Sequence, residues 1–350
     1  MNFFMNLFGQ GSSGPQPESY EINGQEYHEL NLIAEGGYGF IWRAIETKTR
    51  KFCVIKKIIC QSKEAIEQAQ LELDLHRKLQ HPNIVKCYNG VIKFNKKLNQ
   101  TIAYMVLELC EGGTLIDLLK RYNEKRLSEQ QVLLVLKQLV QAIKYLHTQQ
   151  PPITHRDLKV ENVLLHNKVF KICDFGSAST ENIDLKYCQS NKHQISQYEE
   201  NFAKQTTEIY RPPEMTDLYL KYEINEKVDI WMLGCILYTM CFYNPPFQES
   251  SKLAIVEASY VIPKENKYSN KMINLIGIML QPNPKDRASI FQIEDILKNY
   301  DTLTQIVINN INDQDSKNQQ EDDFGEFQSG DQKTQEQQQQ KTVQYDDSLI

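Results

Sequence analysis

The sequence predicts an α+β fold, with strands and one main helix in its first third and mainly helices after that. Short apolar runs of strand length, such as residues 53–55 and 102–107, occur before residue 108. Residues 128–147 instead repeat apolar side chains at helical spacing, after Ser128 and Gln131 in a capping-box arrangement. With 41% hydrophobic content, the 350 residues suffice for a core of about 270 residues.

A glycine cluster lies between two of the predicted strands. Apolar residues 32–33 and 41–42 flank residues 34–40, a pattern typical of strand, turn and strand. Gly36 and Gly39 carry no Cβ, so their backbone could approach a phosphate closely. Taken alone, this segment is also consistent with an ordinary tight turn that has no role in binding.

The next strand carries two adjacent lysines. Lys56 lies fifteen residues beyond Ile41, and Lys57 follows it. Because side chains alternate along a strand, the two lysines point to opposite faces. We expect Lys56 to be the functional one.

The main helix of the first part is predicted over residues 63–79, with Ser62 as its N-cap. Leu71, Leu75 and Leu79 repeat every four residues and predict its apolar face. Glu72 lies on the same helix, and a solvated surface glutamate is its plainer interpretation.

The most informative segment is residues 155–163, His-Arg-Asp-Leu-Lys-Val-Glu-Asn-Val, followed by Asp174-Phe175-Gly176. It places Asp157, Lys159, Asn162 and Asp174 at the spacing that phosphoryl transfer requires. As single residues they would be ordinary turn residues. The other motifs of the chain occur in the order and at the distances that such a site requires. This co-occurrence favours the functional interpretation.

Residues 27–300 resemble the eukaryotic protein kinases, through these motifs together. The resemblance implies a bilobal fold, with an N-lobe at 27–108, a hinge at 109–113 and a C-lobe at 114–300. It implies transfer of the ATP γ-phosphate, with Mg²⁺, to serine or threonine of protein substrates. Lys159 favours those acceptors over tyrosine.

The resemblance also implies a role for each site residue. Asp157 would act on the acceptor hydroxyl, Asn162 and Asp174 would bind the metal, and Glu72 would pair with Lys56. The Glu108 carbonyl and Cys110 amide would bind adenine beside the gatekeeper Leu107. The nucleotide-binding residues implied are Ala34, Gly36, Gly37, Gly39, Ile41, Val54, Lys56, Leu107, Glu108, Cys110 and Leu164.

Supporting positions follow from the same resemblance. Thr207 would bond the catalytic aspartate and lysine, Asp229 would hold the catalytic-loop backbone, and Arg287 would pair with Glu214. Ala34, Val54 and His76 depart from the family pattern. His76 stands where kinases usually place an apolar residue against the aromatic ring of Asp-Phe-Gly.

The segment from Asp174 to Glu214 has an unusual apolar stripe. Ile195, Tyr198 and Phe202 fall at i, i+3 and i+7, which predicts a helix docked by one face. A docked helix could order this segment without a phosphate. The competing mechanism pairs Arg156 with a phosphorylated residue, for which the candidates are Thr180, Ser190 and Ser196.

Four strings, at residues 34–38, 158–162, 173–178 and 210–215, resemble the Numb-associated kinase family. That resemblance implies clathrin adaptor medium chains as substrates and a role in endocytosis or vesicle traffic. Asp322-Asp323-Phe324 fits a motif that adaptor appendages bind. The alternative is a pseudokinase scaffold that recruits partners through its tail. None of the six catalytic residues is missing, however; they are Lys56, Glu72, Asp157, Lys159, Asn162 and Asp174.

The two ends have the composition of flexible segments. Residues 1–26 and 301–350 are expected to be disordered, and residues 311–350 hold ten acidic residues, three lysines and eleven glutamines. The eight cysteines show no metal or disulfide spacing, as in reduced intracellular proteins. No apolar run is long enough for a transmembrane helix, so we expect a cytoplasmic protein, with peripheral association at endocytic or vesicle membranes and no nucleic-acid partner.

Overall fold

The computed structural model describes residues 16–36, 39–96, 98–122, 126–185, 192–248 and 250–300. The chain divides into two compact units. The first, sheet-rich unit holds residues up to Leu115 and also Glu161–Ala178, which the sequence had placed with the later part. The second unit, Ile116–Val160 and the residues from Ser179 on, is mainly helical. The predicted α+β class is confirmed.

The first unit is built on a six-stranded antiparallel sheet in the order β1-β2-β3-β4-β6-β5. Its strands are β1 (Ser19–Ile22), β2 (Gln25–Gly36), β3 (Gly39–Glu46), β4 (Phe52–Cys60), β5 (Cys87–Asn95) and β6 (Gln100–Leu107). A second pair, β7 (Val163–His166) and β8 (Val169–Ile172), belongs to the same unit. Alternate residues of the six strands, such as Cys53 and Ile55 of β4, form a buried core on one face of the sheet.

Strand β1 corrects the expectation that residues 1–26 are flexible throughout. Asn23 and Gly24 both have positive φ, at 49° and 79°, which makes a two-residue hairpin turn into β2. Ile22 is fully buried, and the Tyr20 hydroxyl donates to Glu29 Oε1 at 2.5 Å. The Asn-Gly pair next to an apolar residue was the sequence signal for this hairpin.

Helix α1 (Lys63–Lys78) begins where the sequence predicts, since Ser62 Oγ accepts from the Ala65 amide at 3.2 Å. Its predicted apolar face is only partly buried: Leu79 is 3% exposed, but the prediction is wrong at Leu71. Leu71 is 71% exposed, whereas Glu72 and His76 are buried together with the apolar Ala69 and Leu73. The helix turns this partly polar face inward because Glu72 has a cationic partner in the same unit.

The remaining helices come later in the chain. They are α2 (Leu115–Tyr122), α3 (Glu129–His147), α4 (Lys192–Gln205), α5 (Pro213–Thr216), α6 (Lys227–Phe242), α7 (Lys252–Val256), α8 (Asn270–Met279) and α9 (Ile290–Lys298). The capping box predicted at Ser128 and Gln131 is present. Helix α6 is buried from Val228 to its last residue and forms the centre of the second unit. Among the helices in the described ranges, none is long and apolar enough to span a bilayer.

Helices α3 and α9 are joined by a charged cluster around Glu294. Its carboxylate accepts from Lys144 Nζ at 2.8 Å, Lys298 Nζ at 2.9 Å and Gln141 Nε2 at 3.1 Å. These hydrogen bonds, with that of Lys144 the strongest, lower the pKa of Glu294 to about 2. The ionised carboxylate is therefore favoured in the folded state.

We expect Glu294→Gln to lower the free energy of unfolding by about 1 kcal/mol near pH 7, because the charged acceptor of three donors is lost. The folded pKa lies below that of an unfolded glutamate, about 4.3. The difference between wild type and variant should therefore be complete above that value and shrink as pH falls towards 2. Urea unfolding at several pH values measures it. Exposed Glu265→Gln is the control, and an equal pH-independent effect of both variants would contradict the assignment.

Candidate active site

Lys56 forms the centre of the site in the first unit. Its Nζ lies 2.7 Å from Glu72 Oε1 and 2.7 Å from Asp174 Oδ1. Burial alone would lower the pKa of Lys56, but the two carboxylates outweigh it and raise that pKa above its ordinary value. Lys57 points to the other face of the sheet, where its Nζ lies 2.8 Å from Glu29 Oε1. Lys56 therefore stays charged and bridges helix α1 to Asp174.

A backbone hydrogen bond brings together the segments that carry the two predicted metal ligands, Asn162 and Asp174. The Cys173 amide donates to the Asn162 carbonyl at 3.0 Å, so the residue before Asp174 is tied to Asn162. Asp174 has φ of 67°, a left-handed conformation that costs an L-residue about 1–2 kcal/mol. Amide and carboxylate oxygens suit Mg²⁺, which usually takes one or two protein carboxylates and completes its shell with phosphate and water. The donor set therefore fits that ion.

The sheet register places the strand residues that were predicted to bind nucleotide on one face. Ile41 pairs with Lys56, and Val54 pairs with Leu107. Residues paired across strands share a face, as do residues two apart, so these four side chains lie on the same side of the sheet. Ala34 pairs with Ile41 at the adjoining edge. An apolar floor next to a cation is suited to a base joined to phosphates.

Gly39 is required by the strand itself. A Cβ at Gly39 would lie 1.8 Å from the Lys57 carbonyl oxygen, whereas one at Gly36 would meet nothing within 4 Å. Gly39 thus allows β3 to approach β4, a packing reason that the sequence analysis did not foresee. Gly37 lies outside the described residues.

Residues from the predicted hinge and from β7 join the same apolar cluster. Val54, Cys110, Leu164 and Cys173 pack against a buried group that includes Leu107. Burial, and next the charge of Glu108, raise the pKa of the Cys110 thiol to about 12, so it stays protonated near neutral pH. The Glu108 carboxylate lies 3.1 Å from Lys171 Nζ. The Glu108 amide donates to the Lys86 carbonyl at 2.9 Å.

In the second unit, Asp157, Lys159 and Thr207 form a closed set of hydrogen bonds. Lys159 Nζ donates to Asp157 Oδ2 at 2.7 Å and to Thr207 Oγ1 at 2.8 Å. Asp157 Oδ1 accepts from the Thr207 hydroxyl at 2.8 Å and from its amide at 3.1 Å. Donors on both oxygens fix the orientation of the carboxylate, as a proton acceptor in catalysis requires.

Asp229 holds the backbone that precedes Asp157. Its carboxylate accepts from the His155 amide at 2.9 Å and the Arg156 amide at 3.0 Å, and His147 Nε2 lies 2.9 Å away. Burial would raise the pKa of Asp229, but these partners, His147 first, outweigh it and lower the pKa. His147 was not predicted from the sequence, and its partner Asp229 is 82 positions away. A matching buried pair joins Arg287 to Glu214 at 2.7 Å.

Helix α4 confirms the predicted stripe in the segment before Glu214. Ile195 and Phe202 are 8% and 3% exposed, and the Tyr198 hydroxyl donates to Glu181 Oε1 at 3.0 Å. Arg156 donates to the Glu181 carbonyl at 2.6 Å, so it already has a partner in this segment. Thr180 and Ser196 are exposed, and Ser190 lies outside the described residues.

Arg211 joins the end of α4 to the segment that carries Thr207. Its Nε donates to Thr206 Oγ1 at 2.7 Å, and its Nη2 lies within bonding distance of the Phe202 carbonyl at 3.3 Å. A cation at the C-terminal carbonyls of a helix is stabilising. The docked helix is thus connected to Thr206, the neighbour of the residue whose hydroxyl bonds Asp157.

Comparison with known proteins gives the family of this chain. The protein kinase domain model matches residues 27–299, and the chain belongs to the protein kinase family. A probable serine/threonine-protein kinase of Dictyostelium discoideum is 37% identical over 289 residues, which are 81% of this chain and 35% of that protein. A second one from that organism is 35% identical over 81% of this chain and 25% of its own length.

A yeast protein is also similar. Actin-regulating kinase PRK1 of Saccharomyces cerevisiae is 36% identical over 75% of this chain and 33% of its own length. The chain thus spans between about a quarter and a third of the length of these three relatives.

We expect Phe202→Asp to lower kinase activity at least tenfold, because a charge placed in the buried face of α4 would undock the helix. Thr180→Ala should change activity less than twofold, and phosphatase treatment of the wild type should leave most of its activity. Initial-rate assays on purified protein measure these effects, with exposed Gln197→Asp on the same helix as the control. Loss of activity on dephosphorylation, with Phe202→Asp at the wild-type rate, would show instead that a phosphate orders the segment.

Proposed function

We propose that this protein is a serine/threonine protein kinase that transfers the γ-phosphate of ATP to protein substrates. The observation that carries the proposal is the Asp157 carboxylate, held by Lys159 on one oxygen and by Thr207 on the other. A carboxylate fixed in this way can accept the proton of a hydroxyl as its oxygen attacks phosphorus. The serine/threonine-protein kinase names of the Dictyostelium relatives support the choice of acceptor.

Each remaining site residue has a role in this reaction. Lys56, fixed by Glu72, would hold the phosphates of the nucleotide and offset their charge. Asn162 and Asp174 would hold Mg²⁺, which when bound neutralises charge on the phosphates. Lys159, whose Nζ lies 2.7 Å from Asp157 Oδ2, would add a cation beside the acceptor hydroxyl. The protein thus positions the reactants and supplies charge, which is what phosphoryl transfer needs.

The pseudokinase alternative is disfavoured by the contacts of the same residues. A scaffold that does not transfer phosphate has no use for a charged lysine held between two carboxylates, nor for Asp157 with donors on both oxygens. Asp174 keeps its left-handed φ, a strained conformation of the kind that persists at functional sites. These features together support an active kinase over a scaffold without activity.

We expect Asp157→Asn to lower turnover by roughly 10²- to 10⁴-fold, the usual contribution of a positioned proton acceptor. Binding of Mg²⁺-ATP and the melting temperature should stay close to wild type, because asparagine has the same size as aspartate. Asp174→Asn should instead weaken Mg²⁺-ATP binding itself, since it removes a carboxylate ligand.

Steady-state kinetics and calorimetric titration with Mg²⁺-ATP separate the two effects. Exposed Glu265→Gln, in the second unit and outside both sets of site residues, serves as the control for loss of a carboxylate. Near-normal turnover in both Asp157→Asn and Asp174→Asn would refute the assignment.

For the biological process, we propose membership of the Numb-associated kinase family and a role in endocytosis or vesicle traffic. This proposal is supported by the four short strings at residues 34–38, 158–162, 173–178 and 210–215. Its substrates would be clathrin adaptor medium chains. The protein would act in the cytoplasm, in peripheral association with endocytic or vesicle membranes. Asp322-Asp323-Phe324, the proposed appendage-binding motif, lies outside the described residues. The name of the yeast relative, actin-regulating kinase PRK1, makes actin regulation a second candidate process.

The adaptor proposal is tested by offering purified protein an adaptor medium chain and a generic basic protein in parallel. We expect kcat/KM for the adaptor chain to be at least tenfold higher, because substrate choice reflects differential binding of the transition state. Asp157→Asn serves as the blank for contaminating kinases. Equal values for both substrates would contradict the adaptor role and leave the kinase assignment in place.

A further inference from the structure

Side chains from three successive turns link helix α1 to residues 174–176, two of them directly and one through Lys56. Gln68 Nε2 donates to the Gly176 carbonyl at 3.0 Å. Glu72 binds Lys56, which in turn binds Asp174. The His76 ring packs on Phe175, with ring centroids 4.9 Å apart. Residues four apart lie on one face of a helix, so a single face of α1 is linked to all three residues.

His76 makes a second, directional contact. Its Nε2 donates to the Val85 carbonyl at 2.7 Å, and its side chain is 1% exposed. The Val85 amide in turn donates to the carbonyl of Ile172, the last residue of β8. His76 therefore connects α1 both to Phe175 and to the strand that leads into it. An apolar side chain at this position could preserve the ring contact but not the hydrogen bond.

Gly176 lies opposite the two carboxylates that hold Lys56. A Cβ at Gly176 would lie 3.4 Å from Glu72 Oε2 and 3.5 Å from Asp174 Oδ1. These are ordinary van der Waals distances, so a methyl group at residue 176 would just touch both carboxylates. A small movement of α1 would alter this spacing and the Gln68 bond together.

We propose that Gln68 and His76 are positioning residues for phosphoryl transfer. Their hydrogen bonds fix the rotation and the height of α1 and so keep Glu72 on Lys56 and Lys56 on Asp174. A hydrogen bond weakens steeply with misalignment, whereas apolar packing tolerates sliding. The polar pair therefore holds the helix in this arrangement without an outside partner. The inference rests on the proposed roles of Lys56 and Asp174.

Single substitutions test each contact. Gln68→Ala should lower kcat about fivefold, the effect of losing one net hydrogen bond. Gln70→Ala, the same change at an exposed position of the same helix, should leave kcat unchanged. His76→Leu, which keeps an apolar contact to Phe175 and leaves the buried Val85 carbonyl without this donor, should lower kcat about tenfold. His76→Gln retains a donor of similar reach and should recover at least half of the loss.

The KM for the protein substrate should stay within twofold of wild type in every variant, because the acceptor residues belong to the other unit. Gln68 and His76 are expected to act through Glu72. In a Glu72→Gln background, Gln68→Ala should therefore lower kcat by less than a further twofold, since residues that act as one unit are not additive. A full fivefold effect in that background would overturn the positioning role.

Hydrogen–deuterium exchange gives a readout that does not depend on turnover. The Ala178 amide donates to the Phe175 carbonyl at 3.0 Å, so its exchange reports whether this turn is formed. It should exchange faster in Gln68→Ala and His76→Leu than in wild type and in Gln70→Ala. Wild-type exchange and wild-type kcat in both variants would overturn the proposal. If wild type itself showed no turnover, the proposed function would fail. The exchange rates would still support or overturn the positioning of α1 by Gln68 and His76.

Discussion

Asp229 is a fully buried carboxylate, and the backbone before Asp157 takes its shape from the partners that this charge requires. An ionised carboxylate left unpaired in a protein interior costs several kcal/mol. The amides of His155 and Arg156 both turn towards it, and Arg156 accepts a left-handed φ of 65° in doing so. The strain of that conformation is small beside the cost of an unpaired buried charge. The orientation of the next residue, Asp157, is a consequence.

The same constraint operates in the first unit. Glu72 is 6% exposed and lies on a helix face that a purely apolar pattern would not have turned inward. Lys56 supplies the partner charge, and because it also binds Asp174, one lysine sets the position of a helix and of a strained residue. Both units therefore use a buried charge to fix a functional group that is itself less buried.

The sequence predicted the features whose physics is local. Alternation along a strand separated Lys56 from Lys57, and N-cap chemistry located the starts of α1 and α3 at Ser62 and Ser128. Helical spacing predicted α4 from three apolar residues in a long segment. In each case the information lies within a few residues of the feature.

The features that were missed depend on contacts between distant parts of the chain. Leu71 belongs to a regular leucine repeat, yet it is exposed because the partners of Glu72 and His76 decide which face is buried. Nothing near Gln68 indicates that its amide meets a carbonyl 108 positions later. His147 is missed for the same reason, since its partner Asp229 is 82 positions away. Strand β1 is the exception, because its Asn23-Gly24 turn was a local signal.

The central claim is that Asp157 directs a phosphoryl group from ATP to a serine or threonine hydroxyl. Phosphoamino-acid analysis after incubation with Mg²⁺ and γ-labelled ATP tests it most directly, on a protein substrate and with Asp157→Asn in parallel. The account predicts label in phosphoserine and phosphothreonine with wild type, and at most a trace with the variant. Label in phosphotyrosine, or equal label with wild type and variant, would contradict it.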